Sequence, residues 1–412
     1  AHPLGSRPGP PMPASPAQVV VAGHICLDII PAIEPQPTGL AELLRPGRLL
    51  KIGPAVLAPG GPVANAGLAL HRLGVSTRLM GKVGDDLFGE AICRLVRSHG
   101  PHLTEHMITA AGEHTSYTVV ISPPAVDRIF LHCPGANDSF SADDVPYDRL
   151  AGARVFHFGY PPLMRRMYAD GGCELEEVFS RVKALGIATS LDMAMPAPHS
   201  EASRADWHAI LARVLPHVDV FLPSLDEMLA LLHREATAAG PAGVDGSALS
   251  ALGAELLAMG AAVVGLKLGE QGLYLRSTSD PARLAGLRGA VRLQPETWRG
   301  RELYSPCFEV DVVGTTGCGD CTIAGFLAAT LRGLPLEEAA TTAVAVGACN
   351  VERPDATSGV PSWEALRQRL GGNWRRRAAA LPGPGWSWTD EGAIALGPGD
   401  TLTANRRPRS TA

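Results

Sequence analysis

Apolar and polar positions follow two rhythms along this chain. Short apolar runs rich in β-branched residues, at 19–25, 77–83, 154–158, 188–192, 218–222, 262–268 and 272–276, predict strands. Between them, apolar residues recur three and four apart over 63–73, 90–98, 225–233, 249–259 and 341–351, which predicts helices. Regular alternation of the two predicts an α/β fold, a mostly parallel central sheet flanked by crossover helices. Two stretches break the rhythm. Residues 29–58 interrupt the first strand–helix unit, and 109–135 hold short strands at 117–121 and 128–132. Asp28, Asp192, Glu227 and Gly269 fall just after predicted strands, where open parallel sheets bind ligands.

A chain of 412 residues has room for one large α/β domain with an appendage, or for two medium domains. With 46% hydrophobic and 19% charged residues it is globular. A net charge of −5 and the lack of a basic face argue against nucleic acid as a partner. No apolar run approaches the roughly 18–20 residues of a membrane span. Residues 1–17 are rich in Pro and small side chains, without the layout of a signal peptide, so a flexible tail and a cytoplasmic location are expected. Residues 373–412 turn Gly/Pro/Arg-rich and are expected to be an appendage or disordered tail; the run Trp374-Arg375-Arg376-Arg377 reads as a solvated charge run, with docking of something acidic as the alternative. The eight cysteines are scattered and fit small buried hydrophobes better than a disulfide framework.

Chemistry enters at Gly314-Thr315-Thr316-Gly317-Cys318-Gly319-Asp320, followed at once by an apolar helical stretch. A helix mouth has free N–H groups and a partial positive charge, so the backbone at Gly317, Cys318 and Gly319 is suited to an anion. Asp320 is ill suited to binding a phosphate and well suited to drawing the proton from an attacking hydroxyl. Anion hole and base together are what phosphoryl transfer to an alcohol requires. A thiol at a helix N-terminus is expected to carry a lowered pKa, which would make Cys318 reactive.

Far upstream stands a second glycine segment, Pro59-Gly60-Gly61-Pro62-Val63-Ala64-Asn65-Ala66-Gly67, followed by Gly81-Lys82-Val83-Gly84-Asp85-Asp86. The two segments, in this order and at this separation, resemble the ribokinase-like (PfkB) family of carbohydrate kinases from about Val19 to about Leu366. The resemblance implies a ribokinase-like domain over 18–372, with a small β-sheet lid built from about 29–58 and 109–135 that excludes water from the reaction. It implies ATP with Mg2+ as cofactors and a small sugar as substrate, phosphorylated on a primary hydroxyl. By position, Asp28, Gly60, Gly61 and Asn65 match sugar-contacting residues. Ser224, Lys267, Gly269, Gly272 and Asn350 match nucleotide-binding positions, and Glu227 matches the carboxylate that organises magnesium through waters. Ser224 stands where an Asn is usual. Gly314 stands where many members have an Asp that helps hold a monovalent cation, and Asp311 should face the other way on an extended segment. A monovalent cation is therefore doubtful. A nucleoside kinase of the same family and a non-catalytic sugar-binding regulator are the alternatives. The first lid stretch holds no aromatic residue for a nucleobase, while Tyr117 and Phe130 lie in the second. An exposed lid edge also implies a possible homodimer.

Overall fold

The computed structural model describes residues 17–33, 46–47, 49–122, 129–232, 244–290, 295–378, 383–389 and 393–402. The expected tail over 1–17 lies outside these residues except for Ala17, as do parts of both lid stretches. Among the described residues the strands are β1 Val19–Gly23, β2 Cys26–Pro31, β3 Ala55–Gly60, β4 Thr77–Met80, β5 Lys82–Gly84, β6 Ile108–Ala110, β7 Tyr117–Ile121 and β8 Ile129–Cys133. They continue as β9 Val155–Gly159, β10 Ala188–Leu191, β11 Val220–Phe221, β12 Val263–Lys267, β13 Gly272–Ser277, β14 Glu302–Pro306, β15 Ser387–Trp388 and β16 Ala395–Leu396.

The large sheet runs in the order β15-β16-β14-β13-β12-β11-β10-β9-β1-β4. It is parallel from β4 through β12 and antiparallel beyond. Its middle strands are apolar on both faces because both faces are covered. Val19 and Val21 of β1 enter one core with the helices Pro62–Arg72, Cys318–Leu331 and Leu336–Val351. Val20 and Ala22 enter the other, with the helices Cys173–Ala184 and Trp207–Val214. The chain passes from β1 to β4 on one side, then crosses to β9 on the other. Strand order thus reverses between β1 and β9, and a crevice at their carboxyl ends follows from that reversal.

The separate lid sheet has the order β3-β2-β7-β8. Its register puts Cys26 opposite Gly60, Asp28 opposite both Ala58 and Thr118, and Thr118 opposite His132. Side chains alternate along strands, so Cys26, Asp28, Thr118 and His132 share one lid face.

One expectation changes, and one pair of alternatives is resolved. The run 19–25 is not one strand. The backbone turns at Gly23 (φ 116°), where a Cβ would lie 2.3 Å from the Gly159 oxygen, and pairing resumes in the lid at Cys26. Asp28 therefore sits on a lid strand rather than at the end of the first central strand. Of the two readings of the stretch after residue 372, an appendage or a disordered tail, its described residues follow the appendage. β16 pairs with β14 and β15 with β16, and Arg301 Nε donates to Asp400 Oδ2 at 2.8 Å with both side chains buried. Burying that ion pair requires the segment to be fixed in place, which composition alone could not reveal. No helix among the described residues is long and apolar enough to cross a membrane.

Candidate active site

Gly317 caps the helix Cys318–Leu331 in the left-handed region (φ 69°), which a glycine adopts without strain. The turn leaves Asp320 in the first helical turn, 1% exposed. Asp320 Oδ2 accepts hydrogen bonds from Asn65 Nδ2 at 2.9 Å and from the Tyr160 hydroxyl at 3.1 Å. Its Oδ1 is buried with no hydrogen-bond partner. Burial pushes the Asp320 carboxyl above its ordinary pKa, against the pull of Asn65, Lys267 and Tyr160. A base shifted upward in this way is a stronger proton acceptor.

Asn65 is delivered by the opening turn of Pro62–Arg72, and the glycines before it make that delivery possible. Gly61 has φ 83°, and a Cβ there would lie 2.6 Å from His24 Nδ1. A Cβ on Gly60 would lie 2.3 Å from Asp28 Oδ2, so the lid carboxylate can occupy its place only beside a glycine. Burial lifts the Asp28 carboxyl to about 6, while hydrogen bonds from Cys26 and Thr118 pull it down. On the same lid face, Thr118 Oγ1 lies 3.0 Å from His132 Nδ1, and His132 Nε2 lies 3.4 Å from His24 Nε2.

Sequence reasoning missed Tyr160, His24 and His132. Tyr160 directly follows β9 and adopts φ 65°, unusual for a residue with a side chain. Its place after a predicted strand was the available signal. His24 was concealed inside a strand predicted too long, and His132 within a lid strand.

Lys267 closes β12, and its Nζ donates to Asp192 Oδ1 at 2.6 Å. Burial opposes its charge, but Asp192, Glu227 and Asp320 outweigh burial and hold the ammonium above its ordinary pKa. The Lys267 side chain passes 3.6 Å from where a Cβ on Gly319 would stand, so one positive charge flanks the helix mouth. Asp192 Oδ2 is also buried without a partner. Three carboxylates acting on one ammonium leave a surplus of negative charge. No group of three metal-ligating side chains stands close enough among the described residues to hold a bare ion, so that surplus and the unpartnered Asp192 oxygen fit a divalent cation that keeps its waters, such as Mg2+.

Beside this cluster is a cavity of about 250 Å³ lined by Lys267, Gly269, Gly272, Cys318 and Gly319 together with Phe308, Val310, Val312, Val344 and Val351. Glycine backbone, an ammonium and apolar walls together suit a ligand that is flat and apolar in one part and anionic in another.

Three expected roles change on inspection. Asn350 is fully buried and is not among the residues lining the cavity; its Nδ2 donates to the Thr316 oxygen at 2.9 Å and braces the loop before the helix mouth, while its Oδ1 is buried without a partner. Ser224 and Glu227 cap the helix Leu225–Leu232 reciprocally: Ser224 N donates to Glu227 Oε2 at 2.7 Å and Glu227 N to Ser224 Oγ at 3.2 Å. Ser224 is absent from the described lining of the cavity, and one Glu227 oxygen is committed to the cap. Cys318 does not have the lowered pKa expected of it. Burial and the neighbouring Asp320 push the thiol up. Gly314 lies against the backbone of Arg353 and Pro354, and Asp311 is exposed.

The chain is similar to several known proteins. An uncharacterized sugar kinase of Archaeoglobus fulgidus is 24% identical over 294 residues, covering 71% of this chain and 98% of that protein. Probable fructokinase-4 of Arabidopsis thaliana is 24% identical over 363 residues, covering 86% of this chain and 97% of its own. Among solved structures, Arabidopsis thaliana ribokinase complexed with ribose and ATP superposes with a TM-score of 0.65 at 20% identity, covering 87% of this chain and all (100%) of that one. A putative ribokinase II from E. coli, in complex with ATP and Mg2+, superposes at 0.62 and 21% identity over 86% of this chain and 99% of that one. The two structural likenesses establish the ribokinase-like fold. Residues 17–363 match the pfkB family carbohydrate kinase model, and this chain belongs to that family.

Proposed function

We propose that this chain transfers the γ-phosphoryl group of ATP to a primary hydroxyl of a small sugar, with Asp320 as the base. The observation that carries this reading is the unpartnered, buried Oδ1 of Asp320 at the mouth of an N-terminal helix turn. Asn65 and Tyr160 occupy Oδ2, which leaves Oδ1 to receive the substrate proton.

In this reading the sugar hydroxyl oxygen attacks the γ-phosphorus as its proton passes to Asp320. The bond to the bridging oxygen breaks, and ADP leaves with that electron pair. The backbone amides at Gly317, Cys318 and Gly319 and the Lys267 ammonium stabilise charge on the phosphoryl oxygens. Asp28 accepts hydrogen bonds from sugar hydroxyls, and the lid excludes water. Asp192 and Glu227 would hold Mg2+ through its waters, and the ion would offset charge on the nucleotide phosphates. The structural relative that carries ribose and ATP supports a small sugar and ATP as the two ligands.

A nucleoside acceptor is the second reading. Phe130 is 54% exposed and shares the lid face of His132, while Tyr117 turns to the other face and packs edge-on against Phe88 at 5.4 Å. ATP turnover measured across a panel of sugars and nucleosides separates the two. No turnover with any acceptor, despite sugar binding, would leave the regulator reading. Lid edge strands β3 and β8 carry exposed Val56, Leu57, Phe130 and Leu131, and we propose that two copies pair there, which light scattering would test.

A further inference from the structure

The family match ends at residue 363, yet the polypeptide beyond it returns to the cavity beside Gly319. Residues 374–377 run along Phe308 in antiparallel pairing. Glu309 N donates to the Arg375 oxygen at 2.9 Å, and Arg377 N donates to the Cys307 oxygen at 2.8 Å. A stack fixes this segment. The Trp374 ring lies on Phe308 with centroids 4.1 Å apart, the Arg376 guanidinium covers the other side of Phe308 at 3.9 Å, and Arg369 covers Trp374 at 3.7 Å. Arg376 Nη1 also donates to the Pro306 oxygen at 2.6 Å. The run that composition presented as a solvated charge run is thus an extended segment held by one bridge and this stack, with Arg377 lining the cavity.

Arg377 Nη2 lies 3.1 Å from Glu270 Oε2, and Glu270 belongs to the Gly269–Gln271 turn on the same cavity wall. The two side chains are 45% and 75% exposed, so their pairing is screened by solvent and contributes little. A guanidinium held by a rigid backbone and paired weakly can exchange its carboxylate for a phosphate, which it binds in a bidentate fork. Arg377 lines the same cavity as Lys267, Cys318 and Gly319, which places it with the groups suited to an anion.

We propose that Arg377, supplied from outside the matched family domain, is a nucleotide-binding residue that leaves Glu270 to contact the polyphosphate of the bound nucleotide. This rests on the reading of the cavity as the nucleotide site. The test is calorimetric titration of ADP and of ATP into the full chain without sugar, alongside steady-state kinetics. Arg377→Ala should weaken ADP binding and raise the KM for ATP by about tenfold, with the KM for sugar unchanged and Arg377→Lys keeping part of the affinity. Glu270→Gln separates contact from bracing. If Arg377 touches the phosphates, removing its competing carboxylate should leave nucleotide affinity equal or tighter. If the pair merely braces the turn, Glu270→Gln will weaken binding as much as Arg377→Ala, and the proposal is overturned. ADP affinity unchanged in Arg377→Ala, in a chain that binds nucleotide normally, would overturn it alone. Absence of nucleotide binding in the unmodified chain would overturn the cavity reading with it.

Discussion

Replacing Asp320 with Asn tests the mechanism at its centre. The amide is isosteric with the carboxylate. Its oxygen can still accept from Asn65 Nδ2 and Tyr160, and its NH2 falls where Oδ1 is buried and unpartnered. What disappears is the acceptor for the substrate proton. A positioned base is worth roughly 10²–10⁴-fold in rate, about 3–5 kcal/mol of barrier. Turnover should fall by that factor, while ADP affinity stays near its original value because the proposed phosphate contacts are backbone amides and Lys267. Stability supplies an internal control. Burial raises the folded-state pKa of Asp320, so the folded chain holds its proton to higher pH than the unfolded chain. Ionisation then costs stability as pH rises above the unfolded value, and that cost is present at neutral pH. Asn carries no such cost, so the variant should melt no lower than the parent at neutral pH and lose no advantage in acid. The assay is a coupled measurement of ADP release at saturating sugar and ATP, with thermal melting of both proteins. A variant that is folded, binds ADP and turns over within a few-fold of the parent would refute Asp320 as the base.

Asp28, with its carboxyl lifted to about 6, should lose its acceptor role as pH falls through that value. The KM for sugar should rise between about pH 8 and about pH 5 with a smaller change in kcat, and Asp28→Asn should abolish this dependence. Titration with potassium in sodium-free buffer should change turnover by less than about twofold, since Gly314 brings no charged ligand to the loop and carbonyl dipoles alone must offset ion dehydration. A Cβ at Gly314 would meet the Arg353 and Pro354 backbone at 3.0 Å, so saturable activation would have to come from backbone alone. Asp400→Ala leaves the buried Arg301 with Glu337 as its remaining carboxylate and should lower unfolding free energy by about 3 kcal/mol, read from denaturant melts. An unchanged midpoint would show that the C-terminal strands are dispensable.

Much of the molecule was legible in its order of residues. Strand and helix periods are local, so the alternation at 154–158, 188–192 and 225–232 was readable without knowing what packs on what. Asp320 and Asn65 were readable because a glycine turn and a helix start are themselves local, and the chemistry they permit is narrow. Asn350 and Ser224 misled for the opposite reason. Each occupies a suggestive position, but Asn350 Nδ2 and Ser224 Oγ meet backbone partners that only folding brings to them.

By itself the sequence determined the α/β alternation, the helix mouth at Gly317 and the carboxylate just inside it. All of these follow from dihedral preferences and side-chain periods spanning a few residues. The tertiary structure alone decided that Tyr160 would join Asn65 on one oxygen of Asp320, that Lys267 would balance Asp192, and that Arg377 would reach the cavity. Those contacts join segments far apart in the chain. They exist because burial of two apolar faces on one sheet fixes where each strand ends, and therefore which polar side chains meet at its edge.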